Sequence, residues 1–482
     1  MFNGNMKRLM STGAAVLSLT MLAACSDNSA KSEPGTSSSN KPSASEAEVY
    51  ANGLPKNEKV TLKYGFFQGG LGREAADYAI KTFQQKYPNV TIAITASPDM
   101  PNILSTKISA NNTNDMFDFF NRKPAGDIVA LARSGKLEVL DDIWERELPD
   151  LPGKKVKEKL LDGMLDSIEL IDGKTYEVPT ISSFSGLFFN KQLFEKHGWN
   201  QNPKTWTEFV QLLETIKQAG VTPITFPGQY PTYYDNAFGH SKLYELAEMN
   251  GNLDKFTKDH ENFIDEYSSP EMKKLFSRIA ELGKKGYFSE GLPALNHTQS
   301  QMLVIQGEAA MVSTGSHVEN EMKESTPKGF EWGYMAVPMV DSPSQRVWVK
   351  TGVTGGMFVW ADKPDLNKKW AKEFILWNMT LENQQFTAET GGLPIRKDLV
   401  EDSARLAKVQ TSLKSVLNHV AENNLRPVKV KRNISLSDPS YKQATKIFEE
   451  NIPKIFIGKQ DPTPILEQAD KLMKKALEAQ KK

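Results

Sequence analysis

Two spacings of hydrophobic residues alternate near the start of the folded part of the chain. Residues 60–66 alternate apolar and polar side chains, which predicts a strand. Residues 76–87 repeat apolar side chains at helical spacing until Pro88, and residues 90–94 alternate again. The pattern therefore predicts a strand, a helix and a second strand in succession.

A clearer helix signal begins at Thr205. Thr205 and Glu208 have the spacing of a capping box, and Gly220 provides a stop. The apolar face between them consists of Phe209, Leu212, Leu213 and Ile216. Residues 223–226 predict a short strand, and residues 465–476 carry the apolar stripe of a last helix. Strands that alternate with helices favour an α/β fold with mostly parallel sheets.

The first residues have the pattern of a secretion signal. Lys7 and Arg8 precede a mostly apolar stretch, residues 9–22, which is shorter than the ~20 residues of a membrane-spanning helix. The Leu-Ala-Ala-Cys25 sequence resembles the lipobox of bacterial lipoproteins, which are cut before the cysteine and acylated on it. We therefore expect residues 1–24 to be a signal peptide and Cys25 to carry a lipid anchor. The alternative is a buried free cysteine.

Residues 25–57 are predicted to be the acylated cysteine and a flexible tether. Residues 26–49 contain eight serines and no aromatic side chain, so they cannot bury enough apolar surface to offset their backbone entropy. The folded body should begin near Glu58. This order predicts a protein anchored to the cell membrane that faces its extracytoplasmic side.

Charge and cysteine content exclude several classes of protein. Lysine plus arginine total 59, as do aspartate plus glutamate, so the balance favours no nucleic-acid partner. A single cysteine excludes a disulfide within the chain and a cysteine-rich metal site. With six histidines, none paired at metal-ligand spacing, we predict neither a metal ion nor a cofactor.

Catalytic motifs are scarce. The chain has no Gly-x-Ser-x-Gly nucleophile elbow. His260-Glu261 begins like a zinc-protease helix, but Ile264 stands where the second histidine would be. Residues 69–72 are glycine-rich but lack the spacing of a phosphate loop. The sequence therefore predicts a protein that is not an enzyme.

Several segments together resemble the family 1 extracellular solute-binding proteins of bacterial ABC importers, the group that includes maltose- and multiple-sugar-binding proteins. They are Phe83-Gln-Gln-Lys-Tyr-Pro-Asn-Val90, Gly173-Lys-Thr-Tyr-Glu-Val-Pro179, Pro203-Lys-Thr-Trp-Thr-Glu-Phe209, Gly307-Glu-Ala-Ala-Met311, Thr354-Gly-Gly356 and Thr390-Gly-Gly-Leu-Pro-Ile-Arg396. The resemblance extends from about Val60 to the carboxyl terminus.

The resemblance implies a two-lobe α/β fold of the periplasmic-binding-protein type II, with the ligand in a cleft between lobes of mostly parallel sheets flanked by helices. Lobe 1 is expected to comprise residues 58–180 and 353–397, and lobe 2 residues 181–352. Residues 398–482 are expected to form a helical part that packs mainly on lobe 2. The crossovers between the lobes should fall near residues 179–185 and 350–355.

Aromatic residues are the first candidates for ligand contact, because a sugar offers apolar C–H faces and a rim of hydroxyl groups. The family has aromatic contacts just past the strand at 223–226, where this chain has Tyr230, Tyr233 and Tyr234. Packing against the prolines of the same loop is the alternative. Phe67 and Gln68 end the first strand, at the cleft edge of an α/β sheet.

Four further candidates come from the resemblance. Phe119 and Asn121 lie where the family commonly has an aspartate or tryptophan facing the cleft, although Phe119 also fits a core position. His317 stands where sugar-binding relatives often have a stacking tryptophan, and it could equally be a loop histidine. Ser183 lies in the first crossover.

The last candidates lie at the second crossover and beyond it. Thr354 and Gly355 suit close approach of the backbone to a ligand or a hinge, or only a turn. Arg396 could bind a uronate carboxylate or sugar hydroxyls, or could form a structural salt bridge.

The function implied is capture of a saccharide by closure of the lobes and its delivery to the permease subunits of an ABC transporter. The protein is expected to be a monomer. Two alternatives remain open at this point: a binding protein of the same fold for a non-sugar solute, and an anchored glycan-processing enzyme with two cleft carboxylates.

Overall fold

The computed structural model describes residues 48–125, 128–161, 164–165, 168–353, 356–434 and 436–480. Within these residues the strands are β1 (Val60–Phe67), β2 (Val90–Ser97), β3 (Phe119–Phe120), β4 (Glu147–Leu148), β5 (Leu151–Lys155), β6 (Leu170–Ile171), β7 (Lys174–Thr175), β8 (Val178–Pro179), β9 (Ser182–Asn190), β10 (Thr222–Thr225), β11 (Ala309–Gly315), β12 (Trp332–Met335), β13 (Val347–Val353), β14 (Gly356–Val359) and β15 (Leu425–Val428).

The α-helices are α1 (Glu74–Lys86), α2 (Met100–Ala110), α3 (Ile128–Arg133), α4 (Val156–Lys159), α5 (Lys191–His197), α6 (Trp206–Gln218), α7 (Asp235–Phe238), α8 (His240–Met249), α9 (Leu253–Glu261), α10 (Pro270–Lys284), α11 (His297–Ile305), α12 (Val318–Met322), α13 (Asp365–Asn378), α14 (Leu381–Glu389), α15 (Lys397–Glu401), α16 (Ser403–Leu406), α17 (Thr411–Glu422), α18 (Pro439–Phe456) and α19 (Pro462–Gln480).

The patterned segments fold as their spacing predicts. The strand, helix and strand near the start are β1, α1 and β2, and β1 pairs with β2 in parallel along its whole length. In α6 the Thr205 hydroxyl accepts a hydrogen bond from Glu208 N (3.2 Å), and the predicted apolar face is buried. The Glu208 carboxylate accepts from Lys204 N instead of Thr205 N, so the predicted capping box is half formed.

Two mixed sheets form the centres of two lobes. The sheet of lobe 1 has the strand order β2-β1-β3-β14-β8, and that of lobe 2 has the order β10-β11-β9-β13-β15, with β12 also paired to β9. The pairs β1–β2, β1–β3, β10–β11 and β13–β15 are parallel, but β9 and β14 run antiparallel to all their neighbours. The two-lobe α/β class is confirmed, but the expectation of mostly parallel sheets is wrong.

The antiparallel strands are those next to the connections between the sheets. The chain leaves lobe 1 at β8 and enters lobe 2 at β9, which begins at Ser182. It leaves lobe 2 at β13 and re-enters lobe 1 at β14. A strand that enters a lobe from the other lobe begins at the cleft edge of its sheet. It is therefore antiparallel to the strands whose carboxyl ends lie at that edge.

Each lobe has its own apolar core. The core of lobe 1 contains Phe83, Phe119, Trp370 and Phe374, and that of lobe 2 contains Phe209, Phe238, Phe276 and Phe456. Helices α18 and α19 pack on each other, and both contribute side chains to the lobe 2 core. No helix in the described part of the chain has both the length and the apolar character needed to cross a bilayer.

Candidate functional site

A cavity of about 560 Å³ opens where the connecting strands leave lobe 2. Strands β9 and β13 form one side of it, and the carboxyl end of β11 forms another. Its lining includes Arg122, Ser183, Tyr233, Asp235, His317, Lys350 and Arg432. Ligands of open α/β folds bind at such strand ends, because loops there can vary without disturbing the sheet.

A short 3-10 turn at Pro231–Tyr234 places the three candidate tyrosines in three different environments. Tyr233 is half-buried and lines the cavity, and burial raises the pKa of its hydroxyl to about 12. Tyr230 is 45% exposed and stacks on His297, with ring centroids 4.1 Å apart, but it does not line the cavity. Tyr233 therefore offers the cavity its aromatic surface.

Tyr234 points into lobe 2. It is 5% exposed and packs edge-on against Phe276, Phe448 and Phe456. Most of the Tyr234 side chain is thus buried in the lobe 2 core, and only a small part of it reaches the cavity. Tyr234 is therefore mainly a core residue, and its contact with ligand stays a prediction.

Next to this turn a carboxylate contacts a lysine and a histidine. Asp235 Oδ2 lies 2.6 Å from Lys350 Nζ, and Asp235 Oδ1 lies 2.7 Å from His240 Nδ1. Burial raises the pKa of Asp235, but the charges of His240 and Lys350 outweigh this effect and hold it below its ordinary value. Because Lys350 is on β13, the pair ties the ligand loop to a strand that continues towards lobe 1.

A second charged group lies deeper in lobe 2. Arg432 forms hydrogen bonds with both carboxylate oxygens of Glu266, and Glu266 Oε2 also lies 3.1 Å from His260 Nδ1. Among the described residues, His240, His260 and Glu266 lie close enough together to hold a metal ion. The Arg432 guanidinium already places a positive charge beside Glu266 and His260, so a metal ion would meet repulsion there.

His317 lies where the two lobes meet. It is 3.8 Å from Glu321, which also accepts a hydrogen bond from Gln301 Nε2 (2.7 Å). Burial lowers the pKa of His317, and Glu321 acts in the opposite direction. Gly70 of lobe 1 faces this pair, because a Cβ at Gly70 would lie 3.2 Å from the His317 ring.

The lobe 1 side of the cleft is built on the end of β1. Phe67 is half-buried, and its ring lies under the guanidinium of Arg122 at 4.4 Å. Gln68 is half-buried and bonds through its backbone N–H to Ser97 O (3.2 Å). Neither Phe67 nor Gln68 lines the cavity itself.

Two lobe 1 candidates are structural. Phe119 is fully buried and stacks on Tyr64 at 4.4 Å, so the alternative that it is a core residue is correct. Asn121 is 7% exposed, and its Oδ1 accepts a hydrogen bond from Phe67 N (2.7 Å). Asn121 therefore holds the end of β1 in place, and a direct contact between Asn121 and ligand stays a prediction.

Arg396 is also structural. It is 1% exposed, and its guanidinium donates to Asp150, Asp398 and Met379 O. A guanidinium enclosed in this way has no access to a ligand, so the predicted uronate contact is wrong and the salt-bridge alternative is correct. The remaining candidates Thr354 and Gly355, together with Cys25, lie outside the described residues.

Several lining residues were missed from the sequence. Arg122, Asp235, Lys350 and Arg432 all line the cavity. Arg122 directly follows Asn121, and Asp235 directly follows Tyr234; Asn121 and Tyr234 are both predicted site residues. The sequence therefore located both segments and missed one lining position in each. Lys350 and Arg432 have no local signal, since only the fold brings them to the same cavity.

A second groove of about 950 Å³ lies on the outer surface of lobe 2 between α10 and α19. It is lined by alternating charges, among them Lys273, Glu281, Asp470 and Lys474. It lies away from the connecting strands, and Arg122, the lobe 1 residue that lines the first cavity, does not line it. The cavity between the lobes is therefore the better candidate site.

Comparison with known proteins agrees with this geometry. Residues 69–385 match the family model described as bacterial extracellular solute-binding protein. The diacetylchitobiose binding protein NgcE of Streptomyces coelicolor is 24% identical over 318 residues, which cover 65% of this chain and 65% of that relative's length.

Two solved structures share the fold. A chitin oligosaccharide binding protein has a TM-score of 0.64 and 21% identity, over 87% of this chain and 99% of that one. RafE in complex with raffinose has a TM-score of 0.65 and 18% identity, over 87% and 100%. Since the family model matches more than half of the sequence, the chain belongs to the family of bacterial extracellular solute-binding proteins.

Proposed function

We propose that this protein captures a saccharide in the cleft between its lobes and delivers it to the permease of an ABC importer. The observation that carries the proposal is the cavity at the connecting strands, which combines the Tyr233 ring with hydroxyl and charged groups. An aromatic face packs on the apolar C–H surface of a sugar, and the polar groups around it bind hydroxyls. NgcE and RafE, whose names and titles give saccharide ligands, support this choice.

Lobe 2 would hold the sugar, and lobe 1 would close over it. Asn320 Nδ2 donates to Gly70 O (2.9 Å), and Lys323 Nζ lies 3.2 Å from Glu74 Oε1, so the rims of the lobes already touch. A ligand that contacts both lobes favours the closed form by the difference between its affinities for the two forms. The permease would then recognise the closed form.

The anchor and the location belong to the same proposal. A signal peptide at residues 1–24, a lipid on Cys25 and a tether to residue 57 would keep the body beside the membrane on its extracytoplasmic side. The capture step needs no cofactor and no bond cleavage, so we propose that the protein is a monomeric binding protein and not an enzyme.

Thermal unfolding tests the proposal. A chain that starts at residue 26 leaves the compact unit Glu48–Lys482 intact and is heated with neutral oligosaccharides, uronides, amino acids or polyamines. A ligand at 100 times its dissociation constant adds ~2.7 kcal/mol to the free energy of unfolding, which raises the midpoint by a few degrees. A saccharide that does so and is recovered intact supports the proposal. Stabilisation by amino acids or polyamines alone, or a saccharide consumed in the assay, would contradict it.

The matched pair Tyr233→Ala and Tyr230→Ala locates the ligand. Both substitutions remove one tyrosine ring from the same turn, but only Tyr233 lines the cavity. Tyr233→Ala should roughly halve the saccharide-induced shift, because a tenfold loss of affinity leaves ~1.4 of the ~2.7 kcal/mol, whereas Tyr230→Ala should leave it nearly unchanged. Equal effects would mean that the ligand binds elsewhere.

A further inference from the structure

Lobe 1 contributes a single described residue to the lining of the cavity, and it is an arginine. Arg122 follows β3 at the cleft edge, while the rest of the described lining belongs to lobe 2 and its strands β9 and β13. Among the described residues, Arg122 is therefore the lobe 1 side chain that a ligand in this cavity would meet. The chemistry of that side chain limits what the ligand can be.

The other two strong cations of the lining are already neutralised. Lys350 pairs with Asp235, and Arg432 pairs with Glu266. Arg122 has no ion pair and no side-chain hydrogen bond within the described residues; its guanidinium lies 4.4 Å from the centre of the Phe67 ring. Stacking on an aromatic face fixes the plane of a guanidinium and leaves its N–H groups at the edge free to donate.

Lysines and glutamates cluster beside Arg122, where the next residue, Lys123, pairs with Glu169 (2.6 Å). Lys429, in the segment after β15, has no ion pair in the part of the chain that the structure describes. Burial lowers the pKa of Lys429, and the nearby charges of Lys123 and Lys431 act in the same direction, against Glu177 and Glu169. This cluster beside Arg122 holds three lysines against two carboxylates, and an anionic ligand would offset the excess of positive charge.

We propose that the captured saccharide carries an anionic group, a carboxylate or a phosphate, and that Arg122 binds this group as the lobes close. The proposal rests on saccharide capture in this cavity and adds the class of saccharide. A carboxylate or phosphate accepts two parallel hydrogen bonds from one guanidinium, which a neutral hydroxyl cannot do. Phe67 then acts as the support that holds Arg122 in the binding orientation.

The test compares matched ligands on the full chain in detergent micelles by titration calorimetry. The probes are short oligogalacturonides, their methyl esters, a phosphorylated disaccharide and the neutral disaccharide. At low salt an acidic probe should bind about 10- to 100-fold more tightly than its neutral counterpart. The advantage should shrink as salt screens the charges. The two acidic probes distinguish a carboxylate from a phosphate.

Variants then assign the preference to one side chain. Arg122→Gln should remove the preference for acidic probes, and Arg122→Lys should keep only part of it, because lysine lacks the planar fork. Arg133→Gln removes the same charge from lobe 1, at the end of α3 and beside Asp172, and should leave the preference intact.

Three results would overturn the proposal. If neutral and acidic saccharides bind equally, saccharide capture stands and the anionic group is wrong. If Arg122→Gln weakens all ligands by the same factor, Arg122 only stabilises the closed form. If no saccharide binds at all, the proposed function fails together with this inference.

Discussion

The two walls of the cleft are built differently. Lobe 2 presents a preassembled wall in which Asp235 links Lys350 to His240, and a turn next to it orients Tyr233. Lobe 1 uses Phe119 and Asn121 to fix the end of β1 and leaves Arg122 to line the cavity. Under the proposed function, lobe 2 would hold the ligand, while lobe 1 would supply closure and, through Arg122, the contact that favours an anionic group.

The largest expected effect comes from the support behind the lobe 2 wall. Lys242 and Glu245 form a fully buried ion pair (2.9 Å), and Glu245 also accepts hydrogen bonds from Met339 N and Trp348 N. Glu245→Ala would leave Lys242 buried without its partner, which should cost about 3 to 5 kcal/mol of unfolding free energy in urea denaturation.

The control for Glu245→Ala replaces both members of the pair. Lys242→Met with Glu245→Leu removes the unpaired charge and should recover much of the lost stability. If the single variant were as stable as the native protein, the lobe 2 wall would not depend on this pair, and the contrast between the lobes would weaken.

The tyrosine turn separates stability from binding within lobe 2. Tyr234→Ala opens a cavity among Phe276, Phe448 and Phe456 and should cost about 3 kcal/mol of unfolding free energy. Tyr233→Ala should change stability much less and lower saccharide affinity about tenfold. Denaturation and calorimetry on both variants measure the two effects. A stable Tyr234→Ala protein with lost affinity would instead support ligand contact by Tyr234.

Much of the fold followed from the sequence, because apolar spacing is a local property. The 209–216 face of α6 is buried as predicted, and β1, α1 and β2 occur in the expected order. The sequence did not predict which of several consecutive side chains at a strand end lines the cavity. Phe119 and Asn121 turn inward, while Arg122, directly after them, lines the cavity. A shift of one residue exchanges the two faces of a strand, and no local pattern fixes it where both faces are apolar.

Arg396 shows a different limit. Asp398 is two residues away, but the second carboxylate partner of Arg396, Asp150, lies far away in the chain, and the two meet only in the folded protein. A salt bridge between distant segments leaves no local pattern. The same holds for Lys350 and Asp235, which reach one cavity from different strands and loops.

Acid should destabilise lobe 2 more than lobe 1. All six histidines lie between residues 197 and 419, on elements of lobe 2. Burial, and then the charges of Lys204 and Lys242, lower the pKa of His419 to about 4, and its Nε2 accepts a hydrogen bond from Ala336 N (3.3 Å). His419 therefore binds a proton less readily in the folded state than in the unfolded chain, where its pKa is about 6.5.

Stability should consequently fall as the pH decreases from about 6.5 to about 4 and then become insensitive to His419, because both states are protonated below that range. The contribution of this group is at most about 3 kcal/mol. His419→Gln keeps an acceptor for Ala336 N and should flatten that part of the pH profile. An unchanged profile would assign the acid sensitivity to other groups.

A smaller effect is expected for the support of the lobe 1 wall. Asn121→Ala removes the acceptor of Phe67 N and should cost about 1 to 2 kcal/mol of unfolding free energy. Because the end of β1 also carries Phe67 under Arg122, ligand affinity should fall severalfold. Asn121→Asp keeps the acceptor oxygen and should retain most of the stability. Loss of affinity without loss of stability would instead mean that Asn121 contacts the ligand.

The smallest effect on stability, and the sharpest test of closure, is expected at the rim. A Cβ at Gly70 would lie 3.2 Å from His317 and 3.4 Å from Glu321, so Gly70→Val should hinder closure without disturbing either core. Affinity should fall about tenfold, equivalent to about 1.4 kcal/mol, at an unchanged unfolding midpoint. Asn320→Ala, which removes only the hydrogen bond to Gly70 O, should have a weaker effect in the same direction. If Gly70→Val bound its ligand as tightly as the native protein, lobe 1 would contribute nothing by closing at this rim, and lobe 2 alone would account for the affinity.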